Sequence, residues 1–288
     1  MDFPGKEHLP TLGVGLSFRP EIAGSICEHL EEFDFLEVML DNALRGVVGP
    51  RLWRMLAERL PLVGHGVNSS LGSLGPLDTQ YLLRIGDIAR RMGCKWFSDH
   101  LAFTHSGEVS NDQLMPVQFS AENADRIAHN IRAACDLLHT PFLLENISYY
   151  FTIPGSTLLE AEFIVRILEK ARCGMLLDVN NLYANALNHG YDPYAFIDHI
   201  PCAAVVEIHV AGGEMRNGLY IDSHGHAVSS DVLALLDYAV ATKKPKALVL
   251  EREKNFPTMQ ELLGEVRELR RVWVRHLGSA NRPSAALA

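Results

Sequence analysis

The sequence predicts a single (β/α)8 TIM barrel, and three observations support this prediction. Eight short apolar runs rich in strand-forming residues recur along the chain, and helical patterns lie between them. Alternating strands and helices imply parallel strands joined by right-handed crossovers. The length of 288 residues suits one such barrel. We expect residues 1–277 to form one catalytic domain and residues 278–288, rich in Ala, Ser and Pro, to form a flexible tail.

The predicted strands can be justified in order along the chain. They cover residues 12–16, 33–39, 62–65, 96–100, 142–145, 174–178, 203–209 and 247–251. Each is a run of aliphatic or aromatic residues of ordinary strand length. An open doubly wound sheet is the alternative, but its Gly-rich turn after the first strand is missing, because Gly13 and Gly15 fall inside the first run.

Helical periodicity separates these strands. Apolar residues three or four positions apart predict helices over residues 77–92, 121–138, 157–171, 232–242 and 259–274. The sequence contains no obvious internal repeat, and no low-complexity linker divides it.

Composition limits the function classes. The chain has 26 Lys and Arg against 35 Asp and Glu, a net charge of −9, which argues against nucleic acid as the partner because phosphate contacts need clustered cations. Its five cysteines contain no Cys-x-x-Cys pair, which is typical of a reducing compartment. We see neither a signal peptide nor an 18-residue apolar stretch, so we expect a cytoplasmic protein that does not bind a membrane.

Six consecutive predicted strands end in a residue that can bind metal. These residues are His65, His100, Glu145, Asp178, His209 and Glu251. In a barrel the carboxyl ends of the strands meet at one rim, where such enzymes keep their active sites. One such residue alone is most often a helix cap or a hydrogen-bonded loop residue. The stability of the fold, however, does not require a metal-binding residue at each of six strand ends. The pattern therefore predicts a metal centre.

The loop after the seventh strand adds two candidate ligands, Asp222 and His224. Four histidines and four carboxylates without cysteine suit zinc, iron or manganese. Because three or four protein ligands suffice for one catalytic ion, eight candidates predict two or three ions with bridging carboxylates.

Further polar residues lie close to these ligands in the sequence. Asn181 is either a ligand or the cap of the following helix, and Glu253 is a candidate catalytic base or a further ligand. Asp99 is a candidate catalytic residue that we expect on the other face of its strand, behind the ligands. Glu37 either faces the site or pairs with Arg19.

Several segments resemble the multinuclear non-heme iron-dependent oxidases. They are GHGV at 64–67, SDHL at 98–101, LEN at 144–146, LDVNNLY at 177–183, EIHVAG at 207–212 and DSHG at 222–225. The resemblance extends from about residue 13 to residue 257. This family includes the methanobactin biosynthesis oxidase and the enzyme that excises a cysteine β-carbon in thiaglutamate biosynthesis.

The resemblance implies a TIM barrel with two or three iron ions of mixed Fe(II)/Fe(III) valence. It also implies O2-dependent modification of a cysteine in a ribosomally synthesised precursor peptide, with a small partner protein that recognises the leader. Excision of the β-carbon of a C-terminal cysteine is the favoured reaction, and oxidation to an oxazolone and thioamide is the alternative. The implied iron ligands are His65, His100, Glu145, Asp178, Asn181, His209, Asp222, His224 and Glu251.

Other functions use similar ligand sets. The pattern also resembles endonuclease IV, a zinc phosphoesterase of the xylose isomerase-like group, although that enzyme has a histidine at the position of Asn181. A sugar isomerase of the same group, and a metal-storing or scaffold protein, are further alternatives. Many members of the oxidase family carry Ser-Glu-His and Glu-Trp-Asp where this chain has Ser98-Asp99-His100 and Glu251-Arg252-Glu253, so the subfamily stays open.

Overall fold

Eight parallel strands close into a barrel in the computed structural model, which describes residue 3 and residues 5–106 and 109–278. This arrangement confirms the predicted fold class. The barrel strands neighbour one another in chain order, and the last strand pairs with the first. Of the predicted tail, only Gly278 lies within the described residues.

The strands form the barrel and two hairpins. The barrel consists of β1 (Gly13–Phe18), β2 (Leu36–Met39), β3 (Leu62–His65), β4 (Phe97–His100), β7 (Phe142–Glu145), β8 (Gly174–Asp178), β9 (Val205–Val210) and β12 (Ala247–Leu250). The antiparallel hairpins are β5 (Phe103–Ser106) with β6 (Val109–Met115), and β10 (Glu214–Arg216) with β11 (Leu219–Ile221). All eight predicted strands correspond to barrel strands, whereas the sequence patterns did not predict the hairpins.

Helices surround the barrel. They are α1 (Ala23–Glu28), α2 (Leu40–Leu44), α3 (Pro50–Arg59), α4 (Thr79–Met92), α5 (Ala121–Leu138), α6 (Glu160–Ala171), α7 (Val179–His189), α8 (Pro193–His199), α9 (Ser230–Lys243) and α10 (Met259–Leu277). The five predicted helices correspond to α4, α5, α6, α9 and α10. None of the helices in the described part of the chain is long and apolar enough to cross a membrane.

The barrel interior begins with an apolar layer towards the amino ends of the strands. Its buried residues include Phe35, Val63, Trp96, Leu143, Leu176, Val206, Ala247 and Val249. Because strand side chains alternate between faces, the residue two positions after an inward residue also points inward. His65 follows Val63 in this way, and Glu145 follows Leu143. The apolar layer therefore supports a layer of side chains at the rim that are able to bind metal.

A bulge in β9 changes the side chains that this strand sends inward. The pairing of β8 with β9 shifts between Met175–Val205 and Leu176–Glu207, which leaves Val206 as an extra residue. Val206 packs in the apolar layer. Glu207 and His209 then occupy the two inward positions above it. This strand therefore places a buried acid, Glu207, directly below the rim histidine His209.

Candidate metal centre

The predicted ligands converge at the carboxyl ends of the barrel strands. The ends of β3, β4, β7, β8, β9 and β12 supply six of them, and the loop after β11 supplies Asp222 and His224. The strand-end ligands and His224 are all buried, with at most 9% of each residue exposed. These side chains form three adjoining groups, each containing three ligand atoms that lie within 4.8 Å of one another.

The first group contains His65, His100 and Glu145. The Nε2 atoms of the two histidines lie 3.5 and 3.2 Å from Oε2 of Glu145. The middle group contains Glu145, Asp178 and His209, and Nδ1 of His209 lies 3.5 Å from Oε1 of Glu145. Glu145 therefore faces two groups, one with each oxygen.

The third group contains Asp178, His224 and Glu251. Oε2 of Glu251 lies 3.3 Å from Nδ1 of His224 and 3.2 Å from Nδ1 of His209. Asp178 belongs to both the middle and the third group. The three groups therefore form a row in which Glu145 and Asp178 are the shared residues, the arrangement expected of bridging carboxylates.

Two observations test whether these residues fit metal ions. Two ligand atoms at about 2.1 Å from one ion lie about 3.0 to 3.4 Å apart at octahedral or tetrahedral angles, close to the 3.2 to 3.5 Å seen in the groups. Several buried ligand atoms also have no hydrogen-bond partner among the described residues. They are Oε2 of Glu145, Oδ2 of Asp178, Oδ1 of Asn181, Nδ1 of His209 and both ring nitrogens of His224. Unpartnered buried polar atoms are costly, and bound cations would satisfy them.

Hydrogen bonds behind the ligands orient His65 and His100. Nδ1 of His65 lies 2.8 Å from Oγ of Ser98, which donates to the carbonyl oxygen of Gly64. The Nδ1–H of His65 therefore donates to Ser98 and leaves Nε2 to face Glu145. Asp99 acts similarly on His100, because its Oδ1 lies 3.3 Å from Nδ1. The other Asp99 oxygen accepts from the backbone nitrogen of Ser69.

Asn146 orients Asn181 towards the centre. Nδ2 of Asn181 donates to the backbone oxygen of Asn146 at 3.0 Å, which leaves Oδ1 buried and unpartnered. The cap of α7 is Asp178 and not Asn181, because Oδ1 of Asp178 accepts from the backbone nitrogen of Asn181. This geometry favours the ligand alternative for Asn181.

Asp222 lies beside the third group without belonging to any three-residue group of the described residues. Its carboxylate accepts hydrogen bonds from Ser148 and Asn180. Oδ1 of Asp222 also lies 2.7 Å from Nε2 of His224, although that nitrogen has no hydrogen bond of acceptable geometry. Asp222 therefore lies next to the third group, and hydrogen bonds from Ser148 and Asn180 hold its carboxylate there.

Arg19 holds two acidic residues at the edge of the centre. One of its terminal nitrogens lies 2.6 Å from Oε1 of Glu251 and 3.1 Å from Oε1 of Glu253. Half of the Glu253 side chain is exposed. Arg19 therefore does not form the pair with Glu37 that the sequence left open, and Glu37 contacts His209 instead.

Neighbouring carboxylates raise the pKa values of three histidines in the centre. Burial disfavours the charged form of His100, but the neighbouring Glu145 carboxylate raises the pKa of His100 to about 9. Carboxylates also outweigh burial at His209 and His224, whose pKa values lie well above the usual value. Without a metal, protons on the histidines therefore compensate the acidic charge. Metal binding would displace these protons, because histidine binds metal in its neutral form.

The pKa of Asp178 is also raised, which for a carboxylic acid favours the neutral form. Burial and the nearby Asp222 carboxylate raise the pKa of Asp178 well above its usual value. A buried carboxylate that resists ionisation next to another carboxylate is a site where a cation is strongly favoured.

A pocket of about 310 Å³ opens onto the centre. Its walls combine ligands, including His100, Asn181 and Glu251, with the apolar side chains of Met39 and Leu114. Of the two candidate catalytic residues, Glu253 borders this pocket, whereas Asp99 is buried behind His100. The sequence reasoning missed Ser98. The only available signal was a hydroxyl residue two positions before a strand-end histidine.

Comparisons of the sequence with known proteins find relatives over most of the chain. The sequence model for the family described as RiPP precursor modification enzyme MbnB/TglH/ChrH matches residues 13–273. A UPF0276 protein of Pseudomonas aeruginosa is 40% identical over 267 residues, covering 90% of this chain and 93% of the relative. A UPF0276 protein of Caulobacter vibrioides is 34% identical over 266 residues, covering 92% of this chain and 95% of the relative.

Solved structures similar to this one include sugar epimerases. A D-psicose 3-epimerase from Clostridium cellulolyticum has a TM-score of 0.59 and 10% identity, covering 93% of this chain and all of that chain (100%). The 3-keto-D-glucoside 4-epimerase from E. coli has a TM-score of 0.61 and 12% identity, covering 90% and 99%. At these identities the likeness shows the fold alone, a (β/α)8 barrel.

Proposed function

The chain belongs to the RiPP precursor modification enzyme family MbnB/TglH/ChrH, and from that premise we propose that it is an iron- and O2-dependent oxidase of a cysteine in a precursor peptide. The observation that carries the proposal is the row of three ligand groups joined by Glu145 and Asp178. Such a row suits two or three ions held close together, with a pocket on the open side for a peptide side chain.

The ligand chemistry is compatible with iron, and the resemblance to the iron-dependent oxidases selects iron among the possible metals. Imidazole and carboxylate ligands without thiolate suit non-heme iron as well as zinc and manganese. When bound, iron would anchor the substrate sulfur, lower its pKa and supply the redox chemistry that O2 requires. His65, His100, Glu145, Asp178, Asn181, His209, Asp222, His224 and Glu251 would hold the ions.

Residues at the pocket wall would handle the substrate. Glu253 borders the pocket with half of its side chain exposed, and Arg19 fixes one of its oxygens. We assign Glu253 the role of accepting the proton of the incoming thiol. Asp99 would act through His100. Its contact with Nδ1 of His100 would leave Nε2 facing the centre.

The favoured reaction is excision of the β-carbon of a C-terminal cysteine. The methylene carbon and one O2 together contain the atoms of formic acid, and the sulfur then bonds to the α-carbon. O2 is the only oxidant that this balance needs. The alternative keeps every carbon and oxidises the cysteine by four electrons to an oxazolone and thioamide, with O2 reduced to water.

Co-expression with the precursor peptide and a small leader-recognising partner protein would test the proposal. We expect iron in the purified protein, O2 uptake on adding the peptide, and a peptide mass lower by one CH2 group. A mass lower by four hydrogens would indicate the alternative product. An unmodified peptide, with zinc in the protein and no O2 uptake, would contradict the proposal and favour a hydrolytic enzyme resembling endonuclease IV.

A further inference from the structure

A pair of buried acids lies beneath the metal-binding groups. Glu37 on β2 and Glu207 on β9 are both fully buried, with 0% of each residue exposed. Both face the lower side of His209, and the three residues bring ligand atoms within 4.8 Å of one another. The pair could either hold a further cation or orient His209 from behind.

The contact between Glu37 and His209 distinguishes these roles. Nε2 of His209 lies 2.7 Å from Oε2 of Glu37 with hydrogen-bond geometry. This separation is shorter than the 3.0 to 3.4 Å or so expected of two ligands on one ion. Nδ1 of the same ring has no hydrogen-bond partner within the described ranges and lies 3.2 Å from Oε2 of Glu251. The Nε2–H therefore donates to Glu37, and in the neutral ring that would bind metal the Nδ1 lone pair faces the middle and third groups.

His209 thus presents the opposite nitrogen from its neighbours. His65 and His100 are held through Nδ1 by Ser98 and Asp99 and present Nε2. Glu37 also lies 4.0 Å from Nδ1 of His65, so it stands between histidines of two different groups. Among the described residues, His209 is the only histidine that forms a hydrogen bond with Glu37. Moving the Glu37 carboxylate would therefore change the orientation of the His209 ring before that of His65.

Glu207 has a different partner. Its Oε2 accepts a hydrogen bond from Nε1 of Trp96 at 2.8 Å, and Trp96 belongs to the apolar layer of the barrel. Glu207 is therefore tied to the interior of the barrel, whereas Glu37 is tied to a ligand.

We propose that Glu37 is a positioning residue that fixes His209 through Nε2 so that Nδ1 binds the metal centre. The inference rests on the metal centre of the proposed function and not on the cysteine chemistry. Partners behind a ligating histidine raise its basicity and hold its ring, and their loss ordinarily weakens metal binding about 10- to 100-fold.

Metal titrations of matched variants test the proposal. We would load purified metal-free wild type, Glu37→Leu, Glu37→Gln and Glu207→Gln with Fe(II) or Co(II) under anaerobic conditions. Glu37→Leu should weaken one ion about 10-fold or more and change the Co(II) absorption spectrum. Glu37→Gln keeps an oxygen acceptor and should recover part of the affinity and the spectrum. Glu207→Gln should keep the wild-type stoichiometry.

Nitrogen NMR of histidine in the Zn(II)-loaded wild type gives a second readout that needs no variant. We expect His209 to carry its proton on Nε2. A proton on Nδ1, or unchanged affinity and spectra in both Glu37 variants, would overturn the inference alone. Loss of an ion in Glu207→Gln equal to that in Glu37→Leu would overturn it in favour of a fourth cation site.

The proposed function fails in a distinguishable way. A metal-loaded wild type that consumes no O2 with the precursor peptide would contradict the oxidase and leave the positioning role intact. A wild type that binds no metal would overturn both.

Discussion

Oδ1 of Asp178 accepts a hydrogen bond from the backbone nitrogen of Asn181 at 2.7 Å. Asp178 is the last residue of β8 and also the cap of α7, so strand and helix meet without an intervening loop. One carboxylate oxygen caps the helix, and the other is buried with no hydrogen-bond partner in the part of the chain that the structure describes. The residue therefore combines a structural role with a proposed metal-binding role, and substitution can separate the two.

Asp178→Asn should remove metal without unfolding the protein. Asparagine caps helices as well as aspartate does, whereas its neutral side chain cannot bridge two cations. We expect the stability of the metal-free protein to change by less than about 1 kcal/mol, with loss of at least one bound ion. Thermal unfolding in chelator and metal analysis would check this. Comparable losses of metal-free stability in Asp178→Asn and Asp178→Ala would contradict it.

The number of ions lost should depend on how many groups a residue serves. His100 belongs to one group and Glu145 to two, so His100→Ala should lose one ion and Glu145→Gln should lose two. Metal analysis after dialysis would measure the ratio. His129→Ala, on the exposed face of α5, is the control. Equal losses in the two site variants would argue against bridging by Glu145.

Gly212→Ala should disturb the third group selectively. A Cβ at this position would collide with the backbone of His226 and Ala227, which continues from the segment carrying Asp222 and His224. We expect destabilisation of about 1–3 kcal/mol and loss of the ion bound by His224, with the first group retained. Gly75→Ala, where a Cβ meets no atom within 4 Å, is the matched control. Full metal retention in Gly212→Ala would refute the expectation.

Glu160 should make stability depend on pH. Burial raises the pKa of Glu160 from 4.5 to about 7, although Tyr149, Tyr191 and Asn185 donate hydrogen bonds to it. Between these pH values the folded chain keeps a proton that the unfolded chain has released. The contribution of Glu160 to the free energy of unfolding therefore falls as pH rises from about 4.5 to 7, by on the order of 3 kcal/mol.

Glu160→Gln should remove this dependence, because the amide oxygen can accept the same hydrogen bonds without ionising. Chemical unfolding in chelator at pH 5 and pH 8 would compare the variant with wild type. We expect the variant to lose less stability between the two pH values. Glu169→Gln, exposed on the same helix, should behave as wild type. Parallel pH profiles for Glu160→Gln and wild type would exclude this role.

The position of the candidate ligands at the strand ends could be predicted from sequence because their placement is local. In β3 and β7 a buried apolar residue is followed two positions later by a ligand, and the period of a strand fixes both on the inner face. Once the alternation of strands and helices indicates a barrel, His65 and Glu145 must approach the same rim. No long-range information is needed for that step.

Glu37 could not be assigned in the same way. It lies inside a strand as a single acid among apolar residues, and its partner His209 is 172 positions away in sequence. The strand period predicts an inward direction but not which ring nitrogen it meets. The pairing of Arg19 with Glu251 and Glu253 is equally non-local, because it joins the first and last strands of the barrel.

The apolar layer below the rim has a consequence for the order in which metal and peptide would bind. Residues such as Phe35, Trp96 and Leu176 fill the barrel without exposure, so the described part of the chain offers hydrated ions no route from the amino-terminal side. If the centre binds metal as proposed, ions would enter and leave by the same mouth that a peptide substrate would occupy. Metal would then have to bind before the peptide, and a bound peptide should slow the removal of metal by chelators.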